Sequence, residues 1–290
     1  MQPTQNSLPI GDFNLSYYQW GKDTDPVILL VHATGMHGRI WDQMIKSLPA
    51  GYRIIAVDLR GHGQSRWDGH LLDWSLMGND LTIFIEALDL KDIIGAGHSM
   101  GGHVLTQAAL ALQSRFKRLV LIDPVLFAPE YYKSSTQFEI GDPKDNPISR
   151  RRNHFKGWQE LYDLFKTRIP YSGWDRRVME DYCRYGVKDR ADGGYALACD
   201  PHCEASVYMG HFSVDLSEQV KKLTLPVTIL RAKQATLKTE GKIDFLASPT
   251  WPDLAGNFAN ATDVYLPELS HFIPMQEPAL VAGYIASEAD

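Results

Sequence analysis

The sequence predicts an α/β fold in which helices cover both faces of a mostly parallel sheet. The first observation is a set of short, continuously apolar runs, which are typical of strands buried on both faces. These runs lie at residues 26–31, 52–57, 91–96, 118–122, 226–230 and 263–266. The second observation is that segments with apolar residues at helical spacing alternate with these runs. Such alternation favours a parallel sheet, because each helix carries the chain back to the start of the next strand.

The remaining elements are predicted from local patterns. An aromatic, partly alternating segment at residues 13–20 precedes the apolar runs and predicts a first, antiparallel strand. Helical spacing predicts helices at residues 41–48, 76–88, 103–112 and 278–287. Pro49 and Gly51 end the first of these helices.

The alternation stops near Ala128 and returns shortly before the apolar run at residues 226–230. The intervening residues are rich in aromatic side chains and are broken by glycine and proline. We therefore predict a helical insertion at residues 128–215, within a core formed by residues 1–127 and 216–290. The insertion contains a run of three arginines, Arg150 to Arg152, which is compatible with a solvated surface or with binding of a substrate carboxylate.

A tight turn between the strand at 91–96 and the next helix carries the clearest chemical signal. It reads Gly97-His98-Ser99-Met100-Gly101 and is followed by a further glycine. A G-x-S-x-G sequence between a strand and a helix is typical of a nucleophile elbow, which exposes the serine hydroxyl at the edge of the sheet. The glycines leave room for the backbone to fold back on itself. Ser99 is therefore the candidate nucleophile.

Composition narrows the class of protein. The hydrophobic fraction of 44% and the charged fraction of 22% lie in the range of soluble globular proteins. The formal net charge of −6 gives no reason to expect nucleic acid or an anionic membrane as a partner.

The first residues lack the basic start and apolar core of a secretory signal, and no apolar run is long enough to span a bilayer. Three cysteines, an odd number, predict no disulfide framework, and we expect a reducing cytoplasm.

Four motifs, taken together, resemble those of the α/β-hydrolase superfamily. They are His32-Ala33-Thr34-Gly35 after a buried strand, the segment from Asp58 to Ser65, the elbow around Ser99, and Ser270-His271-Phe272-Ile273-Pro274 near the C-terminus. They occur in the order expected for that superfamily and cover most of the chain outside the insertion. The resemblance implies an eight-stranded, mostly parallel sheet and a helical cap at the position of the insertion. It indicates a fold more firmly than a substrate, because this fold supports many reactions.

The resemblance implies that His271 is the general base for Ser99. A serine hydroxyl needs such a base, because it is a weak nucleophile at neutral pH. His271 follows the last predicted strand, and the superfamily has its histidine there. The neighbouring His98 is expected to point away from the Ser99 hydroxyl.

The acidic member of the triad is left open between two residues. In most of the superfamily it follows the strand that here lies at 226–230, but the expected place falls near Gln234 or Ala235, and neither is acidic. Asp123, after the preceding strand, is the first candidate, since some members use that position. Asp244 is the second candidate, if residues 233–243 form an insertion. Asp123 requires no detour of the chain and is preferred.

Two backbone N–H groups are expected to form the oxyanion hole. One belongs to Met100, the residue after the nucleophile, and the other is assigned by resemblance to Thr34. Ala33 departs from the superfamily pattern, in which His-Gly is common, so the loop around Thr34 is expected to have its own shape.

These residues predict a serine hydrolase that cleaves an ester or related acyl bond of a small to medium, mostly apolar substrate. No metal or organic cofactor is required by this chemistry. Hydrolysis of a carbon–carbon bond in a ring-cleavage product uses the same triad and is an alternative. A binding or signalling protein without turnover is a further alternative, and the missing acid near Gln234 keeps that alternative open.

Overall fold

The computed structural model describes residues 2–135, 141–235, 244 and 246–287. Its strands are β1 (Thr4–Ile10), β2 (Phe13–Trp20), β3 (Val27–Val31), β4 (Arg53–Val57), β5 (Ile93–His98), β6 (Phe116–Ile122), β7 (Val187–Asp189), β8 (Tyr195–Leu197), β9 (Val227–Ala232) and β10 (Ala261–Leu266). Eight of these described strands form one sheet in the order β1-β2-β4-β3-β5-β6-β9-β10. The pairings of β1 with β2 and of β2 with β4 are antiparallel, and the other pairings in this sheet are parallel.

Helices pack on both faces of this sheet. They are α1 (Asp42–Ser47), α2 (Ser75–Ala87), α3 (Met100–Ala111), α4 (Pro129–Ser135), α5 (Trp158–Phe165), α6 (Arg176–Tyr185), α7 (Pro201–Met209), α8 (Ile273–Gln276) and α9 (Pro278–Ala286). Side chains of α2 and α3 share one core with Leu29 and Val31, whereas side chains of α1 and α9 share a second core with Ile28 and Leu30. Successive residues of β3 therefore face opposite layers, which explains why the whole strand is apolar. The predicted α/β fold with a mostly parallel sheet is confirmed.

Strand β1 was not predicted from the sequence. It lies at the edge of the sheet, and its residues Thr4 to Ile10 are mostly polar and largely exposed. It also contains Pro9, which an edge strand tolerates because one side of the strand needs no hydrogen-bond donors. A strand that is mostly exposed contains few apolar residues, so its sequence shows no pattern of buried and exposed positions.

The strand order places the elbow at a natural crevice. The chain leaves β3 in one direction to form β4, and it then returns across β3 to form β5. The loops at the carboxyl ends of β3 and β5 consequently diverge, and ligands of open α/β sheets bind in such crevices. The ends of β6, β9 and β10 lie at the same edge of the sheet, because these strands are parallel to β5.

The inserted segment between β6 and β9 contains α4 to α7, and it also contains a short antiparallel pair formed by β7 and β8. That small sheet was not predicted. Trp174, Met179 and Tyr182 of the insertion pack in the same hydrophobic cluster as Ile40 and Ile273 of the core. The insertion therefore packs directly on the carboxyl ends of the strands, and the exact limits of a separate cap stay a prediction. Within the described residues, no helix combines the length and apolar character needed to cross a membrane.

Buried histidines predict that acid destabilises the protein. His103 on α3 is fully buried between Gln107, which donates to its Nδ1, and the Val214 carbonyl, which accepts from its Nε2. Burial lowers the pKa of His103 from 6.5 to about 4, so below pH 6.5 the unfolded chain takes up a proton that the folded chain excludes. Stability is therefore lost as the pH falls from 7 to 4, by roughly 3 kcal/mol for one such histidine.

We expect His103→Gln to reduce this loss, because glutamine keeps a donor for the Val214 carbonyl but does not titrate. Urea unfolding followed by circular dichroism between pH 7 and pH 4 measures the effect as a shallower fall in the free energy of unfolding. His202→Gln on α7 is the matched control, since that side chain is exposed. Equal slopes in the wild type and His103→Gln would contradict the argument.

Candidate active site

Ser99 lies at a sharp turn between β5 and α3, with φ +56° and ψ −120°. A positive φ is unfavourable for a residue with a side chain and persists only where the surroundings enforce it. A Cβ on Gly97 would lie 2.5 Å from the Gly101 carbonyl oxygen, and one on Gly101 would lie 2.3 Å from the Val31 carbonyl oxygen. The glycines of the motif are therefore required by close backbone contacts, and the serine occupies the strained position between them.

His271 connects Ser99 to a carboxylate. Its Nε2 lies 2.9 Å from the Ser99 hydroxyl, and its Nδ1 lies 2.6 Å from Oδ2 of Asp123. A carboxylate only accepts, so Nδ1 carries the hydrogen and Nε2 is free to accept the serine proton. Ser99 is 6% exposed, and the Asp123 side chain is fully buried. The structure thus brings the predicted nucleophile, base and acid into one hydrogen-bonded chain.

The Asp123 carboxylate is held by two donors. Its Oδ1 accepts from the Ala232 N–H at 2.9 Å and from the Ser248 hydroxyl at 2.6 Å. The Thr250 hydroxyl lies 3.4 Å from the same oxygen and donates to the Pro124 carbonyl at 2.7 Å. These bonds leave Oδ2 for His271 and fix the direction from which the carboxylate approaches the imidazole. Ser248 and Thr250 carried no recognisable signal in the sequence, because hydroxyl residues in loops are common.

Asp123 reaches His271 because β6 and β9 are neighbours. Residues of β6 pair directly with residues of β9, and the Asp123 N–H donates to the Leu230 carbonyl at 2.7 Å. The end of β6 therefore lies beside the end of β9, the strand after which the resemblance to the superfamily predicts the acid. Asp244, the other candidate, is exposed, and its Oδ1 accepts from the Leu246 N–H. Residues 236–243, on which the alternative depended, lie outside the described residues.

Thr34 and Met100 lie together beside the elbow, as a possible oxyanion hole requires. The Thr34 hydroxyl lies 3.4 Å from the Met100 sulfur. Met100 is the first residue of α3, so its N–H has no acceptor within the helix. In the part of the chain that the structure describes, neither the Met100 N–H nor the Thr34 N–H donates to another group. The two donors are thus available for a negatively charged oxygen.

Comparisons with known proteins agree with this geometry. A sequence model of the alpha/beta hydrolase family matches residues 28–283. The chain belongs to the α/β-hydrolase family. It is 35% identical over 240 residues to a non-heme chloroperoxidase of Streptomyces lividans, with 74% of this chain and 76% of the relative covered. It is 26% identical over 227 residues to a bifunctional esterase/perhydrolase of Acinetobacter calcoaceticus, covering 76% and 78% of the two chains.

Solved structures share the fold of this α/β hydrolase. The thioesterase domain from the curacin biosynthetic pathway superposes with a TM-score of 0.77 at 18% identity, over 99% of this chain and all (100%) of that chain. An E-2-(acetamidomethylene)succinate hydrolase superposes with a TM-score of 0.76 at 19% identity, over 98% of this chain and 97% of that chain. At these identities the likeness concerns the fold alone.

Further side chains position the histidine of this α/β hydrolase. His98 points away from the serine hydroxyl, and its Nε2 donates to the His271 carbonyl at 2.8 Å. Burial, followed by the neighbouring His271, lowers the pKa of His98 well below its usual value, so His98 stays neutral. His32 Nε2 accepts from the Leu59 N–H at 3.0 Å and so connects the loops that follow β3 and β4. His98 and His32 therefore each bond to backbone groups of the loops around the site, which is a structural role.

Aromatic rings of the core and of the insertion of this hydrolase are in contact, and one such contact lies beside His271. The ring of Phe272 lies 5.5 Å from that of His271 and 5.3 Å from that of Trp174 in the insertion. Phe127, which follows the strand end of Asp123, lies 4.9 Å from the ring of Phe212. Phe272 of the core and Trp174 of the insertion thus meet beside His271 and provide an apolar surface there.

The three arginines of the insertion have different environments. Arg150 is exposed, and Arg152 forms an ion pair with Glu160 at the surface. Arg151 donates from Nη1 to both carboxylate oxygens of the buried Glu204. Because Glu204 neutralises it, Arg151 offers no net charge to a substrate carboxylate. Among the described residues, no group of three or more histidine, cysteine, aspartate or glutamate side chains is placed to hold a metal ion.

Proposed function

We propose that the protein is a serine hydrolase that cleaves an ester or related acyl bond through an acyl-enzyme on Ser99. The observation that carries the proposal is the chain of hydrogen bonds from Ser99 through His271 to Asp123, with distances of 2.9 and 2.6 Å. This arrangement matches the roles of nucleophile, base and orienting acid in serine hydrolysis. The esterase among the relatives supports the same reaction class.

The proposed reaction uses each of these residues in turn. Ser99 Oγ attacks the acyl carbon while His271 Nε2 takes its proton, and the carbonyl oxygen becomes negative. The N–H groups of Thr34 and Met100 stabilise that oxygen, which matters more in a site from which water is largely excluded. The imidazolium, stabilised by Asp123, then protonates the leaving group. Water, activated by His271, finally attacks the acyl-enzyme and restores Ser99.

The surroundings favour a small or medium, mostly apolar substrate. Aromatic side chains near His271 provide the apolar surface, and the low exposure of Ser99 restricts the size of the group that reaches it.

The short contact between Asp123 and His271 argues against a binding protein without turnover, since such a protein needs no oriented base. Hydrolysis of a carbon–carbon bond by the same residues stays a hypothesis, and a ring-cleavage product in the substrate panel tests it.

Perhydrolysis is a second candidate, because the relatives include an esterase/perhydrolase and a chloroperoxidase. In this reaction, hydrogen peroxide replaces water as the molecule that attacks the acyl-enzyme. The products are a peracid and free Ser99. Adding peroxide to an ester assay and measuring peracid with an iodide or halide acceptor distinguishes the two outcomes.

Intact-mass measurement after treatment with a fluorophosphonate tests the proposal. We expect one adduct on the wild type and none on Ser99→Ala, because only an activated serine reacts. A serine in an ordinary helical turn, Ser134, serves as the matched control, and Ser134→Ala should be labelled like the wild type. Labelling should be followed by a panel of esters of increasing acyl length. An adduct that persists on Ser99→Ala, or a wild type that neither reacts nor turns over any ester, would overturn the proposal.

A further inference from the structure

The turn that carries Thr34 contacts a buried carboxylate from the insertion. The Met36 N–H donates to the Ala33 carbonyl at 3.2 Å, and Gly35 occupies the third position of this turn with φ +73°, as in a type II turn. A Cβ built on Gly35 would lie 2.6 Å from Oε1 of Glu204. The Glu204 carboxylate therefore packs directly against Gly35, one residue from the proposed oxyanion donor.

Glu204 is held in place by its own partner. It lies in the first turn of α7 and is 5% exposed. Arg151 Nη1 donates to Oε1 at 2.6 Å and also to Oε2. Burial raises the pKa of the Glu204 carboxyl, and Arg151 opposes that rise. A buried carboxylate without such a partner is costly, so Arg151 is needed for Glu204 to stay charged at this position.

The start of α7 is fixed against the core at further points. A Cβ on Gly61 would lie 2.5 Å from the Cys203 sulfur, so α7 also packs closely on the loop after β4. The Ser206 hydroxyl accepts from the Leu71 N–H at 2.8 Å. Glu204 is consequently presented to the Gly35 turn by a helix that has little freedom to shift.

We propose that Glu204, held by Arg151, is a positioning residue that fixes the turn of the oxyanion hole, and this inference rests on the proposed function. The insertion then has a part in catalysis besides covering the site, because the direction of the Thr34 N–H depends on a carboxylate that the insertion supplies. Glu204 does not contact the reacting atoms and acts only through the turn. Its loss should therefore weaken binding of the transition state more than binding of the substrate.

Glu204→Gln tests the inference, since it preserves shape but removes the charge that pairs with Arg151. Removal of an oxyanion donor typically lowers kcat by 10²–10³-fold, so we expect a displaced donor to lower kcat by about tenfold with little change in KM. Affinity for a trifluoromethyl ketone, whose adduct with Ser99 carries an oxyanion, should fall in parallel with kcat/KM. Arg151→Lys should lose less activity than Arg151→Met, because lysine retains the charge.

Asp80→Asn is the matched control. Asp80 is a buried carboxylate that accepts two hydrogen bonds of 2.8 Å from Arg60. It lies on α2, outside the insertion. We expect this variant to lose stability while keeping kcat per fluorophosphonate-titrated site. Circular dichroism establishes that each variant is folded.

The outcomes separate the two proposals. If the wild type is labelled and active but folded Glu204→Gln keeps both kcat and inhibitor affinity, the role of Glu204 is wrong and the hydrolase proposal stands. If Glu204→Gln does not fold, the two Arg151 variants replace it in the test. Equal kcat values for folded Arg151→Lys and Arg151→Met would then contradict the role of Glu204, and a lower kcat for Arg151→Met would support it. A wild type without adduct or turnover removes the hydrolase proposal, and the role of Glu204 with it.

Discussion

Replacing His271 with alanine is expected to abolish nearly all ester turnover, with a fall in kcat of about 10⁶-fold, the loss known for a triad histidine. The physical reason is that Nε2 of His271 is the base hydrogen-bonded to the Ser99 hydroxyl, at 2.9 Å. Without it, the serine must lose its proton to water, and the leaving group must depart unprotonated. Initial rates on the best ester of the panel, with the enzyme concentration set by mass, measure the effect.

The control for this variant is His202→Ala, which removes an exposed imidazole from α7. It should leave kcat within about twofold of the wild type, as surface substitutions usually do. His271→Ala should also keep the fold, because the His98 ring bonds to the backbone carbonyl of residue 271 and not to its side chain. A folded His271→Ala protein with a tenth or more of wild-type activity would show that another group serves as the base.

Asp123→Asn is expected to lower kcat by about 10⁴-fold, the loss known when a triad aspartate becomes asparagine. The Ala232 N–H, at 2.9 Å from Oδ1, determines how the new amide is oriented. Its oxygen must face that donor, so its NH₂ group faces Nδ1 of His271. The imidazole then carries its hydrogen on Nε2 and is unable to accept the serine proton. The measurement is kcat for the same ester, together with the rate of fluorophosphonate labelling.

Asp244→Asn is the matched control, because Asp244 was the competing candidate for the same role. Its carboxylate is exposed and bonds locally to the Leu246 N–H, so the substitution should change kcat by less than about twofold. The reverse result, with Asp123→Asn active and Asp244→Asn inactive, would mean that the catalytic conformation differs from the geometry described above.

The elbow could be predicted from the sequence because its signal is local. One glycine two residues before a serine and another two residues after it, between an apolar run and a helix, indicate a single backbone shape. Close backbone contacts at Gly97 and Gly101 require that shape. The buried strands were also predictable, since both faces of β3 and its neighbours meet apolar layers. Strand β1 was missed because an exposed edge strand with Pro9 lacks that pattern.

The hydrogen-bond and packing partners of the site residues were less predictable, because these contacts join residues that lie far apart in the chain. Asp123 and Asp244 both satisfied the order of the motifs, and the sequence favoured Asp123 only because it requires no detour of the chain. The Ser248 hydroxyl donates to Asp123 across more than a hundred residues of chain. Glu204, which is bonded to Arg151, packs against Gly35 across a similar separation. Such contacts depend on how the loops pack, and loop packing leaves no periodic pattern in a sequence.

By itself, the sequence determined the α/β fold and the nucleophile elbow, because burial on two faces and a strained turn each restrict which residues are allowed. The tertiary structure alone decided that Asp123 is the carboxylate bonded to His271. The reason is that β6 lies beside β9, so a residue at the end of β6 lies close to the position after β9 at which the superfamily pattern predicted the acid. Pairing between strands more than a hundred residues apart is a property of the folded sheet, and it brings Asp123 within 2.6 Å of the imidazole.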